Sequence, residues 1–198
     1  MKVIGIGGGS GSGKTTISQE LVARYPEKFE VLSLDDYQKS VTDPSMILVD
    51  NMINWDHPSV ILWQKLRHDI ANLKNGRKVH TTAWTHRSVA GIKEPRVLVP
   101  REVIIVEGYL ALHAEMTGMF DNTVYFDLDE DTRYERRRQA RGSDNTESVE
   151  DTYHGKILKP MHDLYVEPTK ANADAIIDVK DKSLSDVTNM MLVIIESL

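Results

Sequence analysis

The segment Gly8-Gly9-Ser10-Gly11-Ser12-Gly13-Lys14-Thr15 constrains this chain more than any other. It fits the pattern GxxxxGK(S/T), and it lies between a β-branched run, Val3 to Ile6, and a stretch patterned as a helix from about Lys14 to Tyr25. Strand, glycine loop and helix in that order make a phosphate cradle. Glycines let backbone N–H groups converge on an anion without a Cβ in the way, and the helix N-terminus adds a favourable dipole. Lys14 then reaches the β and γ phosphates of a nucleotide, and the Thr15 hydroxyl is placed to ligate magnesium. The nucleotide-binding set is Gly8, Gly9, Ser10, Gly11, Ser12, Gly13, Lys14, Thr15 and Thr16. A glycine-rich turn that merely caps a helix does not account for Lys followed by Thr at that offset.

The alternation of strand and helix recurs along the chain. Glu30 to Leu34 reads as a strand, Ser59 to Asn75 as a helix, Glu102 to Glu107 as a strand and Ala111 to Thr117 as a helical stretch. Thr123 to Leu128 and Ala175 to Val179 supply two more apolar runs, separated by a long charged helical segment and followed by an amphipathic helix from Leu184 to Glu196. This predicts an α/β P-loop NTPase fold with a five-stranded parallel sheet. Val79 to Val99, with Gly91 and Pro95, reads as a hairpin beside that sheet. At 198 residues and 40% hydrophobic content the chain suits one domain, 1–198, around one core.

Charge and composition narrow the partners. A formal net charge of -6 supplies no global positive field for nucleic acid or an acidic membrane, so useful basic residues must be clustered. With no cysteine there is no disulfide framework, thiol nucleophile or Cys-rich zinc site. No apolar run approaches the ~20 residues of a membrane span. A cytoplasmic protein with a small-molecule partner is expected, with no nucleic acid or membrane partner and with homo-oligomerisation left open.

Carboxylates end two of the expected strands. Glu107 closes VIIVE and is the Walker-B-type acid expected at magnesium. Asp35 and Asp36 close VLSLDD and are expected to face the same crevice, where a carboxylate could take a proton from an attacking hydroxyl; an Asp pair at a strand end also reads as a turn or cap. Arg133, Arg136, Arg137, Arg138 and Arg141 crowd one helix and the loop after it, which in an acidic phosphoryl-transfer protein suggests a lid, at about 136–147, closing over the nucleotide. His57, His86 and His162 read as ordinary histidines, and Trp55, Trp63 and Trp84 as packing residues.

Taken in order, GGGSGSGKTT, LSLDDY, NWDHP, THRS, IVEGYLAL, DLDEDTRYERRRQARG and KPMHDLYVEPTKANADAII resemble the uridine kinase and phosphoribulokinase family, along most of the chain from Ile4 to about Ile177. The resemblance implies ATP and Mg2+ as cofactors and catalytic roles for Asp35, Lys14 and Arg137, with Asp35 the base toward the acceptor hydroxyl. It implies Asp56 on the sugar hydroxyls, His86 near the acceptor base, and Arg137 and Arg141 as lid or substrate arginines. Thr15, Glu107 and Asp35 form the implied metal set. Uridine and cytidine kinases carry aromatic residues where this chain has Thr81 and Ala83, and the short lid is similar to that of nicotinamide riboside kinases, so the acceptor is a riboside whose base stays open. A regulatory P-loop protein is the rival class. No Asn-Lys-x-Asp guanine-reading element and no Leu-Ser-Gly-Gly transporter signature occurs.

Lys14→Ala is expected to lower phosphoryl transfer by several orders of magnitude, because charge on the β and γ phosphates carries much of this chemistry. Turnover near that of the unsubstituted protein, measured at saturating substrates, would rule out the phosphate-binding role.

Overall fold

The computed structural model describes residues 1–84, 93–141 and 147–197. Five strands form one parallel sheet: β1 (Lys2–Gly8), β2 (Phe29–Ser33), β7 (Val103–Glu107), β8 (Asn122–Asp127) and β9 (Ala175–Asp178), in the spatial order β2-β7-β1-β8-β9. Val103-Ile104-Ile105-Val106 is apolar without alternation because both faces are covered. Ile104 and Val106 pack with Leu66, Ile70 and Leu73 of helix α2 (Trp63–Lys74), whereas Val103 and Ile105 pack with Ile17 and Leu21 of α1 (Lys14–Arg24) and Val187, Met191 and Ile195 of α6 (Leu184–Glu196). The chain builds outward from β1 to β7 and β2 on one side and to β8 and β9 on the other. Strand order therefore reverses at β1, and a crevice opens at its C-terminal end.

Three local expectations change. The stretch Ser59 to Asn75 is not one helix: a 3-10 turn at Pro58–Val60 precedes α2. Lys39 N–H donates to the Val60 carbonyl and Leu62 N–H to that of Tyr37, which draws the intervening residues into bridge geometry. Ala111 to Thr117 holds only the 3-10 turn Ala114–Met116. That segment runs from the end of β7 to the start of β8, where Asp121 N–H donates to the Val3 carbonyl and its carboxylate accepts from Val3 N–H. A two-stranded ribbon, β3 (Leu48–Val49) with β4 (Met52–Ile53), carries no strand signal in the sequence.

The hairpin is present as β5 (Val79–Trp84) paired antiparallel with β6 (Lys93–Leu98). Arg96 clips it to β2, donating to Glu30 Oε1 and to the Val31 carbonyl, each at 2.9 Å. After β8 comes α3 (Glu130–Arg141), which carries the arginine run. A helical run follows, composed of α4 (Glu147–Tyr153), a π-helical turn His154–Leu158, the short α5 (Lys159–Met161), a second π-helical turn His162–Val166 and a 3-10 turn Glu167–Asn172. Pro160 lacks the N–H that an unbroken α-helix would use there, and widened turns flank it. Among the described residues no helix is long and apolar enough to cross a membrane.

Helix α6 starts at a capping box, with Ser183 Oγ accepting from Asp186 N–H and the Asp186 carboxylate accepting from Ser183 N–H. Ser183→Ala is expected to cost about 1 kcal/mol of folding stability, read as a lower urea midpoint at unchanged slope. An unchanged midpoint would mean that packing of Val187, Met191 and Ile195 alone fixes this helix.

Candidate active site

Strand register assembles the site. Glu107, the last residue of β7, is level with Ile6 of β1 and with Ser33 of β2. Two loops therefore leave the sheet beside it: the glycine loop after β1 and the 3-10 turn Leu34–Tyr37 after β2. Thr15 Oγ1 donates to the Glu107 carboxylate, with oxygens at 3.2 and 3.3 Å. Glu107 is buried, and burial, with the Asp35 charge beside it, raises its pKa above the usual carboxylate range, opposed by a Ser33 hydrogen bond, Lys14 and Thr15.

Lys14 leaves the first turn of α1 and folds back into the loop. Its ammonium donates to the Gly8 and Gly9 carbonyls at 2.8 Å each and to Ser12 Oγ at 3.3 Å. Gly9 and Gly11 leave no room for a side chain. A Cβ on Gly9 would collide with the Arg133 guanidinium, and one on Gly11, whose φ is +88°, would lie 2.5 Å from the Arg133 carbonyl oxygen. Arg133 is itself fixed by donation from Nε to the Leu128 carbonyl, 3.0 Å. It braces the loop from outside.

The opposite wall carries Asp56, buried in NWDHP. Tyr153 Oη of α4 donates to its Oδ2 at 2.6 Å, and Asn54 Oδ1 accepts from its N–H. Tyr109, two residues past Glu107, donates to the Trp55 carbonyl at 2.5 Å. Burial, with Asp56 and Asp35 nearby, keeps the Tyr109 phenol protonated far above its ordinary range. Burial and Asp56 do the same for Tyr153. Arg137 of α3 bridges the walls: Nη1 donates to Ser10 Oγ at 2.9 Å and Nε to Glu150 Oε1 at 2.5 Å, and the guanidinium lies 5.6 Å from the centre of the Tyr153 ring.

The structure thus gathers Lys14, Thr15, Asp35, Asp56, Glu107 and Arg137 around one crevice. Asp36 turns the other way: its Oδ2 lies 3.7 Å from Arg96 Nη1, so it is tied to the hairpin instead of the crevice. Consecutive residues of a 3-10 turn project a third of a turn apart, which separates the two adjacent carboxylates. His86 and the Thr85 to Ser88 segment lie outside the described residues, as do the side chain of Arg141 and positions 142–146 of the expected lid. His57 caps the turn Pro58–Val60, its Nδ1 accepting from Ser59 N–H, and touches Tyr165 Oη at 3.3 Å. His162 Nε2 lies 3.3 Å from Glu167, and burial and Arg133 push its pKa down. Arg133, expected in the lid, instead braces the glycine loop from behind; Tyr109, Tyr153 and Glu150 are given no role by any motif, and Tyr153 meets Asp56 only through the fold.

A cavity of about 520 Å³ lies between the 112–120 segment and the end of the helical run, lined in part by His113, Phe120, Leu164 and Tyr165, and shares no residue with the glycine loop. The crevice with Lys14, Thr15 and Glu107 is the candidate site because of its donor chemistry. Among the described residues no three His, Cys, Asp or Glu side chains converge as a closed cation cage. Thr15, Glu107 and Asp35 instead offer hard oxygen donors beside a phosphate loop, the donor type that suits magnesium sharing its shell with phosphates and water.

The family model for the phosphoribulokinase/uridine kinase family matches residues 3–185. The chain belongs to this family. It is 36% identical over 179 residues to a uridine kinase of Halobacterium salinarum, spanning 88% of this chain and 78% of that protein. It is 35% identical over 181 residues to a uridine kinase of Staphylococcus epidermidis, spanning 88% and 86%. Its fold is similar to that of a possible uridine kinase from Bacillus stearothermophilus, with a TM-score of 0.64 at 19% identity over 89% of this chain and 88% of the other. As a member of the phosphoribulokinase/uridine kinase family it is a phosphotransferase with an alcohol group as acceptor.

The buried carboxylate makes a stability prediction. Its folded pKa lies above the ordinary value of 4.5, so the folded state binds the proton more tightly than the unfolded one, and stability is lost as pH rises through that window. Glu107→Gln is therefore expected to raise the melting temperature at neutral pH in the absence of nucleotide, with the gain shrinking as pH approaches 4.5. A lower melting temperature at neutral pH would mean that the charge is fully compensated by Lys14 and Thr15.

Proposed function

We propose that this chain transfers the γ-phosphoryl group of ATP to the 5′-hydroxyl of a ribonucleoside, with uridine or cytidine as the acceptor. The observation that carries this reading is the convergence of Asp35 and Asp56 on one crevice with the Lys14 loop. A phosphate cradle then faces two carboxylates suited to a hydroxylated acceptor. The 33–36% identity to uridine kinases supports the acceptor class.

In this reading the glycine-loop N–H groups, Lys14 and Thr16 hold the triphosphate. Asp56 accepts hydrogen bonds from the ribose hydroxyls, with Tyr153 fixing the carboxylate. The acceptor 5′-oxygen attacks the γ phosphorus, the bond from that phosphorus to the β–γ bridging oxygen breaks, ADP leaves, and the hydroxyl proton passes to Asp35. Arg137, above Ser10, balances charge on the transferring group, and Arg141 is assigned to the same lid, about 136–147, of a single kinase domain. Thr15, Glu107 and Asp35 would hold Mg2+, which supplies charge neutralisation at the phosphates. His86 is assigned to the acceptor base.

Nicotinamide riboside is the second acceptor, favoured by Thr81 and Ala83 where uridine and cytidine kinases carry aromatic residues. Thr81 Oγ1 is held by the Lys65 ammonium at 3.2 Å, whose charge is paired with Asp69 at 2.6 Å.

Acceptor-dependent ADP release with uridine, cytidine, nicotinamide riboside and their 2′-deoxy forms tests the reading. Uridine or cytidine is expected to give the highest kcat/KM, and loss of the 2′-hydroxyl should cost about tenfold or more, since a carboxylate loses a charge-assisted hydrogen bond. Equal ribo and deoxy rates would remove Asp56 from the sugar, and ADP release independent of every riboside would overturn the function.

A further inference from the structure

Glu150 is a buried carboxylate, 4% exposed, on the helix that follows the arginine run. A buried carboxylate is costly unless it is paired, and a pair of this kind contributes little net stability, so its retention asks for another explanation. Its bond to Arg137 is specific in geometry. Glu150 Oε1 accepts from Nε, at the stem of the guanidinium, while Nη1, farther out, donates to Ser10 Oγ inside the glycine loop. A planar guanidinium held at Nε and at one Nη has no rotation left, so the carboxylate fixes where the cation sits over the phosphate loop. Glu150 and Tyr153 are three residues apart on α4 and share a face of it. Arg137 stacks over the Tyr153 ring, and Tyr153 donates to Asp56. One helix face thereby touches the guanidinium on the phosphate side and the carboxylate on the acceptor side.

We propose that Glu150 is a positioning residue that fixes Arg137 against Ser10, so that α4 sets the spacing between the transferring phosphoryl group and the acceptor held by Asp56. The inference rests on the kinase reading given above. A neutral amide at position 150 keeps an acceptor for Nε but loses the charge-assisted bond, so Arg137 is held only loosely against Ser10 and the Tyr153 ring, and misplacement by about 1 Å of a group that acts at the reacting centre lowers the rate by about a hundredfold.

Three variants decide it: Glu150→Gln, Arg137→Lys and the two combined. For each, kcat and KM for ATP and uridine are measured below its melting temperature. Glu150→Gln is expected to lower kcat about ten- to a hundredfold while KM for ATP changes little, and to add nothing further in the Arg137→Lys background, because it acts through that guanidinium. A lower melting temperature with unchanged kcat in Glu150→Gln would make the pair purely structural and overturn the proposal. Losses that multiply in the double variant would overturn it as well, since Glu150 would then act apart from Arg137. No acceptor-dependent turnover by the unsubstituted protein would sink the kinase reading and this inference with it; normal turnover that is unaffected by Glu150→Gln sinks the inference alone.

Discussion

The candidate site depends on the register of three parallel strands near their C-terminal ends. Glu107 sits level with Ile6 and Ser33, so the glycine loop and the Asp35 turn emerge on either side of a single carboxylate. A slip of one residue in β7 would turn every side chain of that strand to the opposite face and take Glu107 away from Thr15. Register is pinned by burial on both sides: Ile104 and Val106 fill one layer, Val103 and Ile105 the other, and neither set can be exposed cheaply. Packing energy in the core is in this sense what aims the polar groups.

The crevice concentrates charge that the fold does not fully relieve. Burial and the Asp35 charge raise the cost of ionising Glu107, and the Lys14 ammonium is occupied by two loop carbonyls and Ser12. A triphosphate with its cation would meet both demands, giving the ammonium a stronger partner and the carboxylates a counter-charge. Such sites trade stability of the free protein for affinity in the complex. The loop itself is held from behind, where Arg133 fills the space that side chains at Gly9 and Gly11 would need.

The second wall is built by a different kind of structure. The run from 147 to 172 passes through α, π and 3-10 turns around Pro160 and Pro168, and its first helix delivers Glu150 and Tyr153 to opposite ends of one short path across the crevice. Arginine on α3 completes the path to Ser10. Phosphate loop, cation, aromatic ring and Asp56 are therefore linked by side chains from four separate segments, and the spacing between them is set by helix packing.

The sequence by itself determined the elements whose information is local. The glycine loop between an apolar strand and a helix, the five strands as apolar runs, and the amphipathic C-terminal helix were all legible, because each depends on neighbours within a few positions. Membership in the family was legible too, since its motifs keep their order along the chain. What only the tertiary structure decided is which polar groups meet. Asp35 and Asp36 are adjacent and chemically identical, yet one lies beside Glu107 and the other is taken by Arg96 of the hairpin. Tyr153 reaches Asp56 across 97 positions, and Glu150 finds Arg137 from a different helix. No periodicity encodes such pairs: hydrophobic pattern fixes which face of an element is buried, and the partner of a polar side chain follows only once those faces have packed.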